Sequence, residues 1–369
     1  MKILQTSNIQ LGRAFSGTGF PGDKLRAGIK STFTKIIDTA IEQKVDLVIL
    51  AGDTFANIDI SQNLIDLVVN ELKRLEKIHT VIIPGSSDRF EKESFWAGWQ
   101  ISPPTENIHI LAENKSSTVE ITDKSIKIYG YLLSRDGDEL PENVKGSGEF
   151  KHHVAVVYDD IETAGEPEDQ QLSPLREKLF NVGFDYIALG GRNEAVNFVD
   201  MGLKAAYSGS PVTFAPELEG AGYFLMINLD GESIKVDKIS VGEVVWRQLE
   251  IPMDTVANVD DLKTRILESA GDNVLLRVSL TGLALLEAGL NINQLREELE
   301  DYFLNIEFAD KTSVLPDNIS GIKVQEKTVM GQYLKLMIGK LNNSESDEKK
   351  DLEESLKVGY TLLSGREPW

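Results

Sequence analysis

The chain has 369 residues, 41% hydrophobic and 26% charged, an ordinary balance for a folded protein and enough length for two domains. It has no cysteine, which excludes disulfides, thiolate metal sites, iron–sulfur clusters and cysteine nucleophiles; four histidines (His79, His109, His152, His153) make an imidazole-rich cage doubtful. Lys and Arg number 38 against 59 Asp and Glu, so a net charge of −21 repels polyphosphate, and any nucleic-acid contact must come from a local basic patch or a partner.

The N-terminal stretch MKILQTSNIQLG lacks a basic region followed by an apolar one, and no uninterrupted apolar run reaches membrane-span length. The expectation is a cytoplasmic protein with no membrane role. Ile3 and Leu4 begin a short strand. From about Lys24 to Gln43, Leu25, Ile29, Phe33, Ile36, Ile37, Ala40 and Ile41 recur at three- and four-residue steps, which predicts a helix. Val45–Ala51 reads as a strand buried on both faces and ends in the turn Gly52-Asp53. A second helix, Ile60 to about Leu75, leads to the buried strand Thr80–Ile83, closed by Pro84-Gly85. Such alternation predicts parallel strands covered by helices.

Further strands are expected at about Ile126–Tyr131, Val154–Tyr158 and Tyr186–Leu189. The runs Tyr223–Leu229, Ser233–Ile239 and Val244–Ile251 read as antiparallel. The expected fold is therefore α/β, a mixed β-sandwich flanked by helices over residues 1–251. A connection through Pro252 and Asp254–Asp261 leads to a small α+β unit at 252–325, with a helix (about Val259–Ser269), a strand (Val274–Leu280) and a helix (Asn291–Phe303). In residues 326–369, Val329, Tyr333, Leu336, Met337 and Leu341 fit one apolar helical stripe and Leu352, Leu356, Tyr360 and Leu363 another. The polar stretch NNSESDEKKD separates them, as a hinge or a solvated helix start.

In parallel sheets, ligand chemistry gathers at the carboxyl ends of the strands. Those ends are Ser7-Asn8-Ile9-Gln10-Leu11-Gly12, Gly52-Asp53, Gly85-Ser86-Ser87-Asp88, Tyr158-Asp159 and Gly190-Gly191-Arg192-Asn193. Their order and spacing resemble the calcineurin-like metallophosphoesterases, specifically the SbcD-type DNA-repair exonucleases. Those enzymes carry D-x-H, G-D, G-N-H-D, a lone His and G-H-x-H in that order. The flanks Asp46–Phe55, Phe184–Gly190 and Tyr207-Ser208-Gly209-Ser210-Pro211, with Glu217 and Gly222 behind, are similar as well. The resemblance implies a capping domain after residue 252. It also implies a C-terminal segment, Leu356–Leu363, that meets an SbcC-type coiled-coil ATPase, with DNA reached through that complex and a homodimer formed through the phosphoesterase domain.

Carried over residue by residue, the two-metal ligand positions hold Asn8, Gln10, Asp53, Ser86, Tyr158, Gly191 and Asn193, and only Asp53 keeps the family's residue type. Ser87 replaces the catalytic His, and Asp88, its orienting partner, remains. Two divalent cations about 4 Å apart repel by roughly 17 kcal/mol at an effective dielectric of about 20, which one carboxylate cannot offset. The expectation is no catalytic residue and no resident metal; the alternative is a single weakly held Mn or Mg at Asp53 with amide oxygens from Asn8 and Asn193. Asn8, Gln10 and Asn193 are neutral amides, and Gln5 stands where SbcD-type enzymes commonly have a His; amides preserve polar packing with no ion.

For Asp53, accepting backbone N–H bonds is favoured over ligation. Arg89 and Arg192 are candidates to bind phosphate in place of metal charge, the simpler reading being that they pair with Asp53 or Asp88 or face water. Strand entry is favoured for His152 and His153. Core packing or a subunit contact is favoured for Trp96 and Trp99 among Phe90 and Phe95. The acidic stretch from Asp159 to Asp169 reads as solvated loop. Two functions follow: an inactive SbcD-like subunit that scaffolds or regulates an ATPase complex, or an active phosphodiesterase or exonuclease with a reduced metal site.

Overall fold

Five consecutive apolar residues, Leu47–Ala51, form a strand with every side chain buried, and the N-terminal unit is arranged around that strand and its neighbours. The computed structural model describes residues 1–15, 22–111, 117–133, 149–159, 181–214, 221–230, 233–242, 244–284, 291–314, 328–344 and 346–363. Two compact units result, Met1–Val244 and Val245–Trp369.

In the first unit, β1 (Lys2–Thr6), β2 (Leu47–Ala51), β3 (His79–Ile83) and β4 (Ile108–Ile110) run parallel. The connections between the first three carry α1 (Gly22–Glu42) and α2 (Gln62–Lys73). Helix α1 buries Leu25, Ile29, Phe33, Ile36, Ile37 and Ala40, the stripe its spacing predicts. A short α3 (Phe95–Ile101) buries Trp96 and Trp99, and Phe55, Phe95 and the two indoles pack within 6 Å ring to ring, which bears out core packing for both tryptophans.

A second sheet contains β5 (Ser117–Ile121), β6 (Ile126–Leu133), β7 (His152–Asp159), β8 (Tyr186–Gly190), β9 (Val196–Asn197) and β10 (Ala205–Tyr207), in the order 5-6-7-8-10-9. Strands β11 (Tyr223–Asp230) and β12 (Ser233–Ser240) return antiparallel onto β1, completing the first sheet as 12-11-1-2-3-4. The inner faces of both sheets share one core, with Ile3, Ile49, Val81 and Leu225 from one and Ile128, Val154, Val156 and Ala188 from the other. This is the mixed β-sandwich expected. His152 and His153 are buried at the start of β7, where His153 Nδ1 meets the Tyr129 hydroxyl at 3.0 Å. The acidic stretch beyond Asp159 lies outside the described residues.

The second unit begins with β13 (Val245–Pro252), ahead of the break expected after residue 251, because this strand pairs with β14 (Gly271–Thr281) and not with the sandwich. The pairing is parallel, which corrects the antiparallel reading. Helix α4 (Val259–Leu267) separates the two strands, and a helical crossover returns the chain in the same direction. Helix α5 (Ile292–Leu299) then leads to a third parallel strand, β16 (Phe303–Asp310), where helix was expected to reach Phe303. A small parallel pair joins β15 (Leu283–Ala284) to β17 (Ser313–Val314). Asn258 caps α4 by accepting from the Asp261 N–H, and Asn291 caps α5 by accepting from Asn293 and Gln294.

The two C-terminal stripes lie on α6 (Val329–Asn343), capped by Thr328, and α7 (Ser346–Leu363). They pack largely on each other: Leu334, Met337 and Leu356 are buried together, with Tyr333, Leu341, Leu352 and Tyr360 around them. Leu336, Leu362 and Leu363 stay exposed. No described helix is long and apolar enough to cross a membrane.

Candidate functional site

The carboxyl ends of β1, β2, β3, β7 and β8 converge where the two sheets come closest. A Cβ on Gly190 would lie 1.6 Å from the Ala51 carbonyl oxygen, and one on Gly52 would lie 2.1 Å from the Tyr158 ring, so only glycine permits the approach. Gly52 and Gly191 also hold φ of 90° and 100°, and Asn8, Gln10 and Asp53 adopt φ near 50°, a left-handed conformation costly outside glycine and milder for Asn and Asp. Backbone bonds link the two tips: Asn8 N–H donates to Gly52 O and Gln10 N–H to Asp53 O, both at 3.0 Å.

Asp53 is buried, and two protein donors meet its carboxylate. Ser87 N–H donates to Oδ1 at 2.8 Å and the Tyr158 hydroxyl donates to Oδ2 at 2.7 Å. The Ser86 hydroxyl lies 2.8 Å from the Tyr158 oxygen. Burial and the neighbouring Asp53 charge push the Tyr158 phenol well above its usual range, so it keeps its proton and serves as donor. The expected backbone-accepting role of Asp53 is thus present, although its donor belongs to the loop after β3 and not to its own turn.

Asp88 is also buried and orients no imidazole. Its Oδ1 accepts from Gly85 N–H at 2.7 Å and its Oδ2 from Phe55 N–H at 3.0 Å, tying the loops after β2 and β3 together. Burial, with a lesser contribution from Asp53, raises its pKa to about 7.

Across the cleft Asn8 Nδ2 donates to Asn193 Oδ1 at 3.2 Å, and the buried Asn8 Oδ1 has no hydrogen-bond partner. Gln10 Oε1 accepts from Arg13, whose guanidinium carbon lies 4.5 Å from the centre of the Phe214 ring. Gln5 is fully buried between the sheets, donating to Leu189 O and Ala206 O while accepting from the Tyr186 hydroxyl at 2.6 Å. Ser7 and Ser208 share a hydrogen bond, and Ser210 bonds Asn8 O. These serines and Arg13 were not singled out from the sequence; the only signal was their place inside or beside the motif segments.

The structure therefore brings Asn8, Gln10, Asp53, Ser86, Ser87, Tyr158, Gly191 and Asn193 to one edge. Arg89 instead is exposed and pairs with Glu91 at 2.6 Å, and Arg192 lies over the Tyr207 ring at 5.2 Å.

A dinuclear centre needs several anionic or imidazole donors. Among the described residues no three His, Asp or Glu side chains come together. Both Asp53 oxygens accept protein protons, and among the described residues Asn8 Oδ1, Thr6 Oγ1 and Thr54 Oγ1 are buried without a hydrogen-bond partner. These residues do not fit a metal pair: Asp53 is the one carboxylate among the carried-over ligand positions.

Residues 1–190 match the family model for calcineurin-like phosphoesterases. An uncharacterized metallophosphoesterase of Bacillus subtilis, YhaO, is 25% identical over 312 residues, covering 78% of this chain and 74% of that protein. Similar solved structures include TT1561 of Thermus thermophilus (12% identity, TM-score 0.37, 64% of this chain and 98% of that one). Another is a dimetal phosphatase from Danio rerio (9% identity, TM-score 0.39, 65% and 96%). The chain belongs to the calcineurin-like phosphoesterase family.

Proposed function

We propose that this chain is a pseudo-phosphoesterase of the SbcD type, a subunit that scaffolds or regulates a complex with an SbcC-type coiled-coil ATPase and does not hydrolyse phosphoesters itself. The observation that carries the reading is the donor set at the ligand positions: Asp53 is the one carboxylate beside Asn8, Gln10, Ser86, Tyr158, Gly191 and Asn193, and it is hydrogen-bonded to Ser87 and Tyr158. Hydrolysis requires an activated water and a group that protonates the leaving oxygen. Here the surviving carboxylate accepts from Ser87 and Tyr158, the phenol retains its proton, and a serine hydroxyl replaces the acid. The net charge of −21 supports DNA contact through the partner, and the exposed leucines of the α6–α7 hairpin support partner docking.

The test is hydrolysis of bis(p-nitrophenyl) phosphate and of linear duplex DNA with excess Mn²⁺ or Mg²⁺, run beside Asp53→Asn. The expected outcome is no turnover above that variant. Metal-dependent turnover that Asp53→Asn abolishes would establish the reduced-site nuclease instead.

A further inference from the structure

We infer that His79 Nδ1 and His109 Nε2 are the two protein ligands of a site for a borderline divalent cation, zinc, nickel or copper, with Asp123 holding the first imidazole from behind. The site stands at the opposite end of β3 from the loop bearing Ser86 and Asp88, and it does not depend on how the strand-end cleft is read. His79 opens β3, and His109 lies in β4, the last strand of its sheet. Val81 faces the core between the sheets. His79 is two residues before it and His109 is its partner in the pairing, so both imidazoles project from that same face. Asp123 comes from the connection between β5 and β6 in the other sheet. Two of the chain's four histidines thus meet at one point.

The facing nitrogens are 3.1 Å apart, and His79 Nε2 is 3.2 Å from Asp123 Oδ1. Two imidazole nitrogens on one ion at about 2.0–2.1 Å stand roughly 2.9 Å apart at a square-planar angle and roughly 3.3 Å apart at a tetrahedral one. The observed separation lies between the two, so an ion asks for only a small turn of the rings. Because an ionised carboxylate can only accept, His79 carries its proton on Nε2 and turns the Nδ1 lone pair towards His109, the carboxylate–histidine arrangement that supports metal ligands. His109 is half-buried; desolvation and the neighbouring His79 bring its pKa down to about 4, so it is neutral at pH 7 and has a lone pair to give. When the ion enters, the hydrogen bond between the imidazoles gives way and His109 keeps its proton on Nδ1. Asp123 is no third ligand, since it meets the ring nitrogen of His79 remote from His109, and water completes the coordination. Lys124, next to it in the chain, is paired with Asp46 at 3.0 Å, and the excess of acidic over basic residues favours the approach of a cation.

The test is calorimetric titration of the full, tag-free chain with Zn²⁺ after stripping with EDTA and exchange into chelator-free buffer, with electron paramagnetic resonance at one equivalent of Cu²⁺ beside it. One Zn²⁺ should bind per chain, and the Cu²⁺ spectrum should show coupling to two imidazole nitrogens. His79→Gln and His109→Gln should each weaken Zn²⁺ binding by about tenfold or more and remove one nitrogen from the Cu²⁺ spectrum, a readout that a purely structural role would not move. Asp123→Asn should weaken binding about tenfold with both nitrogens retained. If His109→Gln does not fold, His79→Gln and the wild-type spectrum carry the test. No saturable Zn²⁺ binding, or equal binding by wild type and the histidine variants, overturns the inference and leaves the pseudo-phosphoesterase reading standing. Binding lost in Asp53→Asn and kept in His79→Gln would put the ion at the strand-end cleft and overturn both.

Discussion

Tyr158 donates its hydroxyl proton to Asp53 across 2.7 Å, joining the carboxyl ends of β7 and β2 from opposite sheets. A buried carboxylate that loses a donor keeps its desolvation cost, which sets the size of the effect at about 1–3 kcal/mol. Tyr158→Phe should therefore lower unfolding free energy by that amount in a urea titration with unchanged slope. Asp53→Asn should cost less than Asp53→Ala, since an amide oxygen still accepts from one of the two donors. A Tyr158→Phe variant as stable as wild type would show that the bond contributes nothing.

The raised pKa of Asp88, about 7, gives stability a pH dependence of defined sign. An unfolded Asp releases its proton near 3.9, so between roughly pH 4 and 7 the folded state binds more protons than the unfolded state, and stability falls as pH rises. The contribution is complete below the unfolded pKa and gone above about pH 7. Three pKa units set an upper bound of about 4 kcal/mol. Because the Asp53 charge is part of the cause, Asp53→Asn should move the descent to lower pH, and Asp88→Asn should remove it. Urea titrations from pH 5 to 8 check the slope.

The architecture is legible wherever burial leaves no choice of residue. Leu47–Ala51 must be apolar on both faces, and the stripe of α1 must face one way, so both elements stand plainly in the sequence. The sense of β13 was harder to read because a half-exposed strand carries the same alternating pattern in either direction; only the intervening α4 marks it as parallel. Short strands such as β9 and β10 exist through pairing alone. At the site, motif spacing located the loop tips, but Arg13 and Ser210 acquire their roles from contacts across roughly 200 residues of chain, which no local pattern encodes.

Gly190 tests how tightly the sheets close over the site. Its Cβ position falls 1.6 Å from a backbone oxygen of β2, which cannot swing aside as a side chain would. Gly190→Ala should cost about 3 kcal/mol, the upper part of the range for overpacking, and lower the thermal midpoint of the first unit by several degrees. Gly202→Ala isolates the opposite factor: Gly202 has positive φ, 84°, which Gly190 does not, and open space around the added carbon. Its cost should be the smaller of the two.

The α6–α7 hairpin separates folding from docking in a way its stripes do not. Replacing Leu352, Leu356 and Tyr360 together would remove residues that hold the two helices to each other, so loss of a partner would follow from loss of the hairpin. Leu356→Ala alone should cost about 2–5 kcal/mol of local stability and speed amide exchange across both helices. Leu336, Leu362 and Leu363 are exposed by 57%, 53% and 41%, and contribute little to that packing. Changing those three to serine should leave helicity and exchange protection intact. If the hairpin docks on a coiled-coil ATPase, the same change removes apolar surface from the contact and should abolish co-purification with it. Retained co-purification with all three leucines gone would place the partner contact elsewhere on the chain.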